Sequence, residues 1–388
     1  MDENKNLLKY FIIGWIFIFF IISPINLFAK NSSSTTKVDG ASNQPRYWIS
    51  LEYLAAQGKG RPLPPIVITA PSGTPIANMT LNNSDAEATF GDDEIGGNIQ
   101  NGVCLDIGHW LTPSKSIGIG LKLFGFESDD VTYLEASAGD PIIAIPFFNS
   151  APGINDNDSL LVAFPGVSSG QINIISGNDF WGFECSLRAM LGHGRNYEIY
   201  FIGGYQFNRI QDNLEMRYQI NSGAATYNLS DTYETDNIFN GALFGISAKF
   251  LYKNYRLDLL GKVAVGNMEQ NVKVDGYTAT TVGGNTTTTG GGLFSGSGNS
   301  GSLTRNRINW VPEFNGKLSY FFSESIELSV GYRVMYWNNI VMSGDQIETT
   351  VNGTGLFGGV LVGPEGSFNV TDTNYYVQAI SFNIKINF

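Results

Sequence analysis

The stretch QAISFNIKINF (residues 378–388) decides the fold. Polar residues alternate there with apolar ones, which are Ile380, Phe382, Ile384, Ile386 and Phe388. Strict alternation over about ten residues is typical of a barrel strand with one face on lipid and the other on a lumen. A terminal aromatic also resembles the signal read by the outer-membrane barrel-assembly machinery. We therefore expect that machinery as a partner and outer-membrane lipid as the solvent.

The same alternation recurs upstream, most clearly over residues 116–126, 180–190, 196–208, 254–266 and 325–337. Weaker examples cover 46–56, 101–111, 237–251 and 306–321. Short connections are expected near 112–115, 191–195, 252–254 and 322–324, and long ones over about 57–100, 127–177, 221–236, 276–305 and 339–371. This rhythm predicts an all-β, antiparallel, up-and-down transmembrane barrel of about ten strands, with short periplasmic turns and long extracellular loops.

A soluble β-sandwich is the alternative, because its strands also alternate. Four features favour the barrel: the N-terminal segment described next, the terminal Phe strand, the short–long rhythm of the connections, and aromatics near strand ends. Those aromatics are candidates for interface girdles: Tyr47, Trp48, Trp110, Tyr320, Tyr336 and Trp337.

The N-terminal segment predicts export. Lys5 and Lys9 precede an apolar run from Tyr10 to Ile22, and small Ala29 precedes a polar stretch. This order is that of a cleaved secretory signal peptide, and the run is short of the roughly 20 residues that a spanning helix needs. The expected organisation is a signal peptide over 1–29, a flexible segment over 30–45 and the barrel over 46–388.

Charge restricts the partners. The net charge is −12, and charged residues make up only 15% of the chain. Because nucleic-acid binding needs a basic surface, no nucleic-acid partner is expected. Acidic clusters in the expected outer loops would favour divalent cations that bridge to lipopolysaccharide, although solvated loop charge is the simpler interpretation. These clusters begin at Asp92, Asp129 and Asp156.

Several longer strings resemble a known family. They are WISLEYL from Trp48, GRPLPPIVITAP from Gly60, GDPIIAIPFFN from Gly139, LLVAFPGVSSG from Leu160, WGFECSLR from Trp181, LDLLGKVAVGN from Leu257, VPEFN from Val311, GYRVMYWNNIVMSGDQIE from Gly331 and QAISFNIKINF from Gln378. In this order they resemble the putative beta-barrel porin family seven over nearly the whole mature chain. The resemblance implies an outer-membrane barrel, and it supplies neither a transported solute nor catalytic residues.

The inward positions of the expected strands carry charges of both signs. They are Glu52, Asp106, Lys122, Glu184, Arg188, Glu198, Arg256, Asp258, Lys262, Glu313, Lys317, Glu327 and Arg333, with Lys385 on the last strand. A charge-selective pore would need an unpaired ring of one sign. Since a ten-stranded barrel is also narrow, we expect a lumen largely filled by ion pairs, tyrosines and water.

Catalysis is not expected, and neither is a cofactor or a metal site. The two histidines, His109 and His193, fall beside predicted periplasmic turns, whereas the acidic clusters fall in outer loops. A general base must reach its partner by a hydrogen bond, and the membrane thickness separates these groups. A barrel enzyme therefore remains only a remote alternative. Cys104 and Cys185 fall on opposite faces of non-adjacent strands, which predicts two free thiols.

Two functions remain open at this point. One is a porin-like barrel with a narrow, charge-balanced lumen that conducts ions or small solutes and displays loops at the cell surface. The other is a purely structural or ligand-binding barrel without transport.

Overall fold

The computed structural model describes residues 45–364 and 366–388. The expected signal peptide, and nearly all of the segment 30–45, lie outside the described residues. Ten long strands occur in the described part: β1 (Tyr47–Gly58), β2 (Ile99–Trp110), β3 (Ile117–Phe126), β4 (Ser169–His193), β5 (Tyr197–Ser222), β6 (Ala225–Tyr252), β7 (Tyr255–Val282), β8 (Gly301–Phe321), β9 (Ile326–Ile340) and β10 (Thr373–Asn387). No α-helix of the described residues is long and apolar enough to cross a membrane.

These strands form a closed ring. Each pairs antiparallel with the next along the chain, and β10 pairs antiparallel with β1. At the closure Tyr53 lies opposite Phe382. Phe388 and Tyr47 also exchange backbone hydrogen bonds of 2.8 and 3.0 Å. The predicted all-β antiparallel barrel is confirmed.

The two ends of the ring differ. At one end, called here the turn end, the strands are joined by the short connections 111–116, 194–196, 253–254 and 322–325, and β1 begins beside Phe388. At the other end β4 to β7 continue as strands of 25, 26, 28 and 28 residues. The expected long loop over 221–236 is wrong, because Ser222 pairs with Ala225 in a tight hairpin turn. Gly223, with a φ of 59°, provides the left-handed backbone of that turn.

The long strands reverse their apolar face. Over Tyr197–Phe207 of β5 the outward side chains are apolar, as Tyr197, Phe201 and Tyr205 show. Beyond Phe207 the inward side chains become the apolar ones, as in the buried residues Ile210, Leu214, Met216, Tyr218 and Ile220. The first stretch has the roughly 9–11 residues that a tilted strand needs to cross a bilayer. We call this level of the ring the membrane half and the remainder the outer half.

The outer half is filled by a second, smaller sheet, called here the inner sheet. Its strands are Asp156–Ala163, Ile142–Asn149, Val67–Ala70 and Glu87–Phe90, in that spatial order, with Thr350–Val351 parallel to Ile142–Asn149. Short strands also occur at Arg61–Pro62, Glu94–Ile95, Val131–Ser137 and Asn285–Gly290, and short 3₁₀ segments at Ile76–Asn78, Gly344–Gln346 and Gly353–Gly358. Ile143, Ile145 and Leu160 of the inner sheet pack against Ile174 and Met216 of the ring.

The chain after β9 also turns into the ring. Asn339 has a φ of 48°, and the following Ile340, Val341 and Met342 are buried. The side-chain amide of Asn237 on β6 makes two hydrogen bonds to the backbone of this segment. It donates to the carbonyl oxygen of Val341 at 2.8 Å and accepts from the Val341 N–H at 2.8 Å. The inner sheet and the inturned segments that pack with it are called the cap below.

Candidate functional site in the barrel lumen

A network of ion pairs crosses the middle of the membrane half. Glu313 lies 3.1 Å from the Lys122 ammonium and 2.8 Å from that of Lys262. Lys262 also contacts Glu184. Lys262 lies directly opposite Glu313 on the neighbouring strand, whereas the Lys122–Glu313 and Lys262–Glu184 pairs join strands that are not neighbours and so span the lumen.

Glu52 organises the other side of this network. It accepts from Arg333 at 3.0 Å and from Lys317 at 2.8 Å. The Arg333 guanidinium reaches Glu313 at 3.5 Å and lies 3.9 Å from the sulfur of Cys104. Because these groups are largely withdrawn from water, each charge depends on its partners for stability.

A second cluster of charges lies nearer the turn end. Asp106 accepts from Arg188 and from the Trp48 indole N–H, both at 2.9 Å. Arg256 bridges Asp258 and Glu327. Glu198 accepts from the Tyr200 hydroxyl at 3.0 Å.

All thirteen charges predicted to face the lumen fall in these two clusters. Lys249 also belongs there, lying 3.8 Å from Glu198 and over the rings of Trp110 and Tyr200. Lys249 was missed in the sequence analysis. The signal was present, because neighbouring side chains of a strand alternate between faces and the apolar Phe250 points outwards. With Lys249 and Lys385, the clusters of the described part of the chain contain eight cations and seven carboxylates.

An apolar layer lies above the ion pairs. It includes Phe124, Phe180, Phe239, Trp337 and Tyr375, all buried inside the ring. Phe180 packs edge-on to Trp337 with ring centroids 5.1 Å apart. Charged groups are costly in such surroundings, so this layer separates the lumen charges from the outer half.

A buried ion pair joins the cap to the ring above the apolar layer. Arg61 donates to Asp212 of β5 at 3.2 Å and to the carbonyl oxygen of Asp129 at 2.8 Å. The backbone N–H of Ser343 donates to Asp212 at 2.7 Å. Burial raises the pKa of the Asp212 carboxyl, and the Arg61 charge opposes this effect.

A second buried carboxylate anchors the chain between β7 and β8. Asp231 of β6 accepts from the backbone N–H groups of Leu293, Phe294 and Ser295 at 2.8–3.2 Å. Burial raises the pKa of the Asp231 carboxyl. These bonds hold Phe294 in the core between the inner sheet and the ring.

Three of the expected girdle aromatics point the other way. Trp48, Trp110 and Trp337 are 2%, 7% and 0% exposed and lie inside the ring. Tyr47 and Tyr320 are outward and exposed, as expected. The girdle prediction is therefore wrong for the tryptophans. Each of these tryptophans lies an even number of residues from a lumen-facing charge on its own strand, which places both side chains on the same face.

The remaining reactive side chains are dispersed. Cys104 is buried and Cys185 exposed, both free, which confirms the prediction of two unpaired thiols. His109 stacks on Tyr47 with ring centroids 4.3 Å apart, and His193 ends β4 at the turn end. Within the described ranges no group of three or more potential metal-ligating side chains occurs. The expectation that acidic loop residues are solvated is wrong for Asp129, which is buried and accepts from the Gly97 N–H at 2.7 Å.

A closed antiparallel ring with an apolar outer wall and a charged interior defines an integral β-barrel of the bacterial outer membrane. The chain belongs to the family described as Putative beta barrel porin-7, whose model matches residues 48–388. No curated protein matches the sequence significantly.

Several solved outer-membrane proteins resemble the chain at low identity. The outer membrane protease OmpT from Escherichia coli is 10% identical, with a TM-score of 0.40, and the match covers 92% of this chain and all of that one. A Pseudomonas aeruginosa FadL homologue is 5% identical, with a TM-score of 0.24 and coverages of 89% and 91%. The P. putida toluene transporter TodX is 7% identical, with a TM-score of 0.16 and coverages of 90% and 91%. Likeness at this level carries no argument about activity or substrate.

Proposed function

We propose that this protein is an outer-membrane barrel of porin-like fold whose narrow, charge-balanced lumen does not conduct in its resting state, and that it displays its cap at the cell surface. The proposal extends to export by a cleaved signal peptide and assembly through the C-terminal strand. The turn end faces the periplasm and the cap faces outwards. A catalytic role is not part of the proposal.

The observation that carries the proposal is the series of barriers along one axis. The Lys122–Glu313 and Lys262–Glu184 ion pairs cross the lumen. The layer around Phe180 and Trp337 lies above them, and the inner sheet fills the outer half. An ion leaving water for the apolar layer would lose its hydration without gaining a partner. This arrangement supports a closed barrel over a general diffusion pore.

Conductance tests the closed lumen. The purified protein is reconstituted into planar bilayers beside a wide general porin in the same lipid. We expect a silent bilayer for this protein and stepwise currents for the porin. The family name favours the competing function, a small-solute channel, and reproducible stepwise conductance of the wild-type barrel would support that function and overturn the closed one.

Surface labelling tests the orientation and the display. Cysteine is placed at Ile76, which is exposed in the cap, or at Lys253 in a turn-end connection, both in a Cys185→Ser background. A membrane-impermeant maleimide applied to intact cells is expected to label the Ile76→Cys protein and to spare the Lys253→Cys protein until the cells are lysed. The reverse pattern would contradict the proposed orientation.

A further inference from the structure

A cavity of about 140 Å³ lies in the membrane half, and side chains of both charge clusters line it. Its wall includes Trp48, Ser247, Lys249, Arg256 and Lys385. Nearby side chains remain partly exposed, with Asp106 at 26% and Arg188 at 22%. The apolar layer closes the lumen on the cap side of this cavity.

The carboxylates of this cavity already have cationic partners. Asp106 is engaged by Arg188, and both Asp258 and Glu327 by Arg256. The other two, Glu52 and Glu184, are engaged by Arg333 and Lys262. Lys385 is the exception, since no carboxylate of residues 45–364 and 366–388 lies within ion-pair distance of its ammonium. On β10 it lies opposite Ser50 of β1 and Glu327 of β9.

Lys249 is only loosely compensated in the same cavity. Its single carboxylate neighbour in the described chain is Glu198, at 3.8 Å, beyond hydrogen-bond distance. The Glu198 carboxylate instead accepts from the Tyr200 hydroxyl. Two ammonium groups therefore face one enclosed space with donors to spare, because each ammonium carries three N–H bonds.

We propose that this cavity binds a small oxyanion, of the size of inorganic phosphate or a short carboxylate, between Lys249 and Lys385. Charge-assisted hydrogen bonds from two ammonium groups are the strongest interactions available to such an anion here. At roughly 30 Å³ per water in the liquid, the cavity has room for a few waters or one small anion. Cations would instead meet the uncompensated positive charge.

The test measures binding of inorganic phosphate to the full-length folded barrel in detergent, by isothermal titration calorimetry at low ionic strength. Saturable one-to-one binding is expected for the wild type. Lys249→Gln and Lys385→Gln are each expected to weaken it at least tenfold, and the double variant to abolish it. Acetate is expected to compete with phosphate for the same site.

Three controls keep the result interpretable. Lys253→Gln removes an exposed turn-end lysine outside the cavity and is expected to bind like the wild type. Lys385→Arg retains the charge and is expected to restore most of the affinity lost in Lys385→Gln. Heat-modifiable gel migration reports that each variant is folded. Absence of saturable binding by the folded wild type, or unchanged affinity in both glutamine variants, overturns the proposal, whatever the conductance experiment shows.

Discussion

The membrane half and the outer half are built from the same strands, yet they carry their apolar side chains on opposite faces. On β5, Phe201 points outwards and is exposed, whereas Met216 and Tyr218, farther along the same strand, point inwards and are buried. The backbone pairing with β6 continues without a break between these levels. The reversal of the apolar face therefore follows from the surroundings of each half. Lipid favours apolar side chains on the outside of the ring, whereas water outside the ring favours their burial inside it.

The interior of each half follows from this reversal. In the membrane half the inward face is polar, and the lumen is held by ion pairs such as Glu52 with Arg333. In the outer half the inward face is apolar, and only a second sheet can cover it. The outer half is thus a two-layer sandwich continuous with a barrel.

The largest effect is expected in the sandwich core. Phe294→Ala removes a fully buried ring and should destabilise the cap by about 3–5 kcal/mol. Amide hydrogen exchange should accelerate in the inner sheet and in the outer parts of β4 to β7, while the membrane half stays protected. Phe322→Ala at the exposed turn end is the matched control. Equal acceleration in both halves would show that they unfold as one unit.

A charge on the outer wall should distinguish the halves next. Phe201→Arg places a cation in lipid and should cost about 2–4 kcal/mol. Gln219→Arg, outward on the same strand but in the outer half, should change stability by less than about 0.5 kcal/mol. Urea unfolding in lipid vesicles measures both. A tolerated Phe201→Arg would contradict the assignment of the membrane half.

The contact between ring and cap should have an intermediate effect. Asn237→Ala leaves the N–H and carbonyl of buried Val341 without their partner, at a cost of about 1–3 kcal/mol. Faster exchange is expected over residues 338–346. Asn240→Ala, at an exposed position of the same strand, is the control. An unchanged rate in Asn237→Ala would mean that the segment is held by packing alone.

The smallest effect is a pH dependence of the cap. Burial where the cap meets the ring raises the pKa values of the Asp212, Asp231 and Asp345 carboxyls, so the folded outer half holds these protons more tightly than the unfolded chain does. The resulting stabilisation is complete below the ordinary carboxyl pKa and is lost as pH rises through the raised values. Cap protection, corrected for intrinsic exchange, should fall as the pH rises above the ordinary carboxyl pKa of about 4. Protection that increases with pH would contradict this prediction.

The membrane half was predictable to a large extent. Alternation located β3 and most of β10, and parity placed charges such as Glu313 and Arg333 on the inward face. The strands of the outer half were not predictable in this way. The search assumed that the apolar face of a strand points outwards to lipid, whereas in the outer half the apolar face points inwards. Thus residues 221–236 read as a loop although they pair as strands. The inward tryptophans were misread because an aromatic near a strand end fits either face.

The sequence by itself determined the class of protein. Apolar side chains at every second position, as in Ile380–Phe388, suit a strand with one face on lipid and the other on the lumen. It also determined which charges share a face. Only the tertiary structure decided that Arg61 meets Asp212, that the inner sheet fills the outer half, and that Lys385 has no carboxylate partner among the described residues. These outcomes depend on contacts between segments far apart in the chain, which a local pattern does not encode.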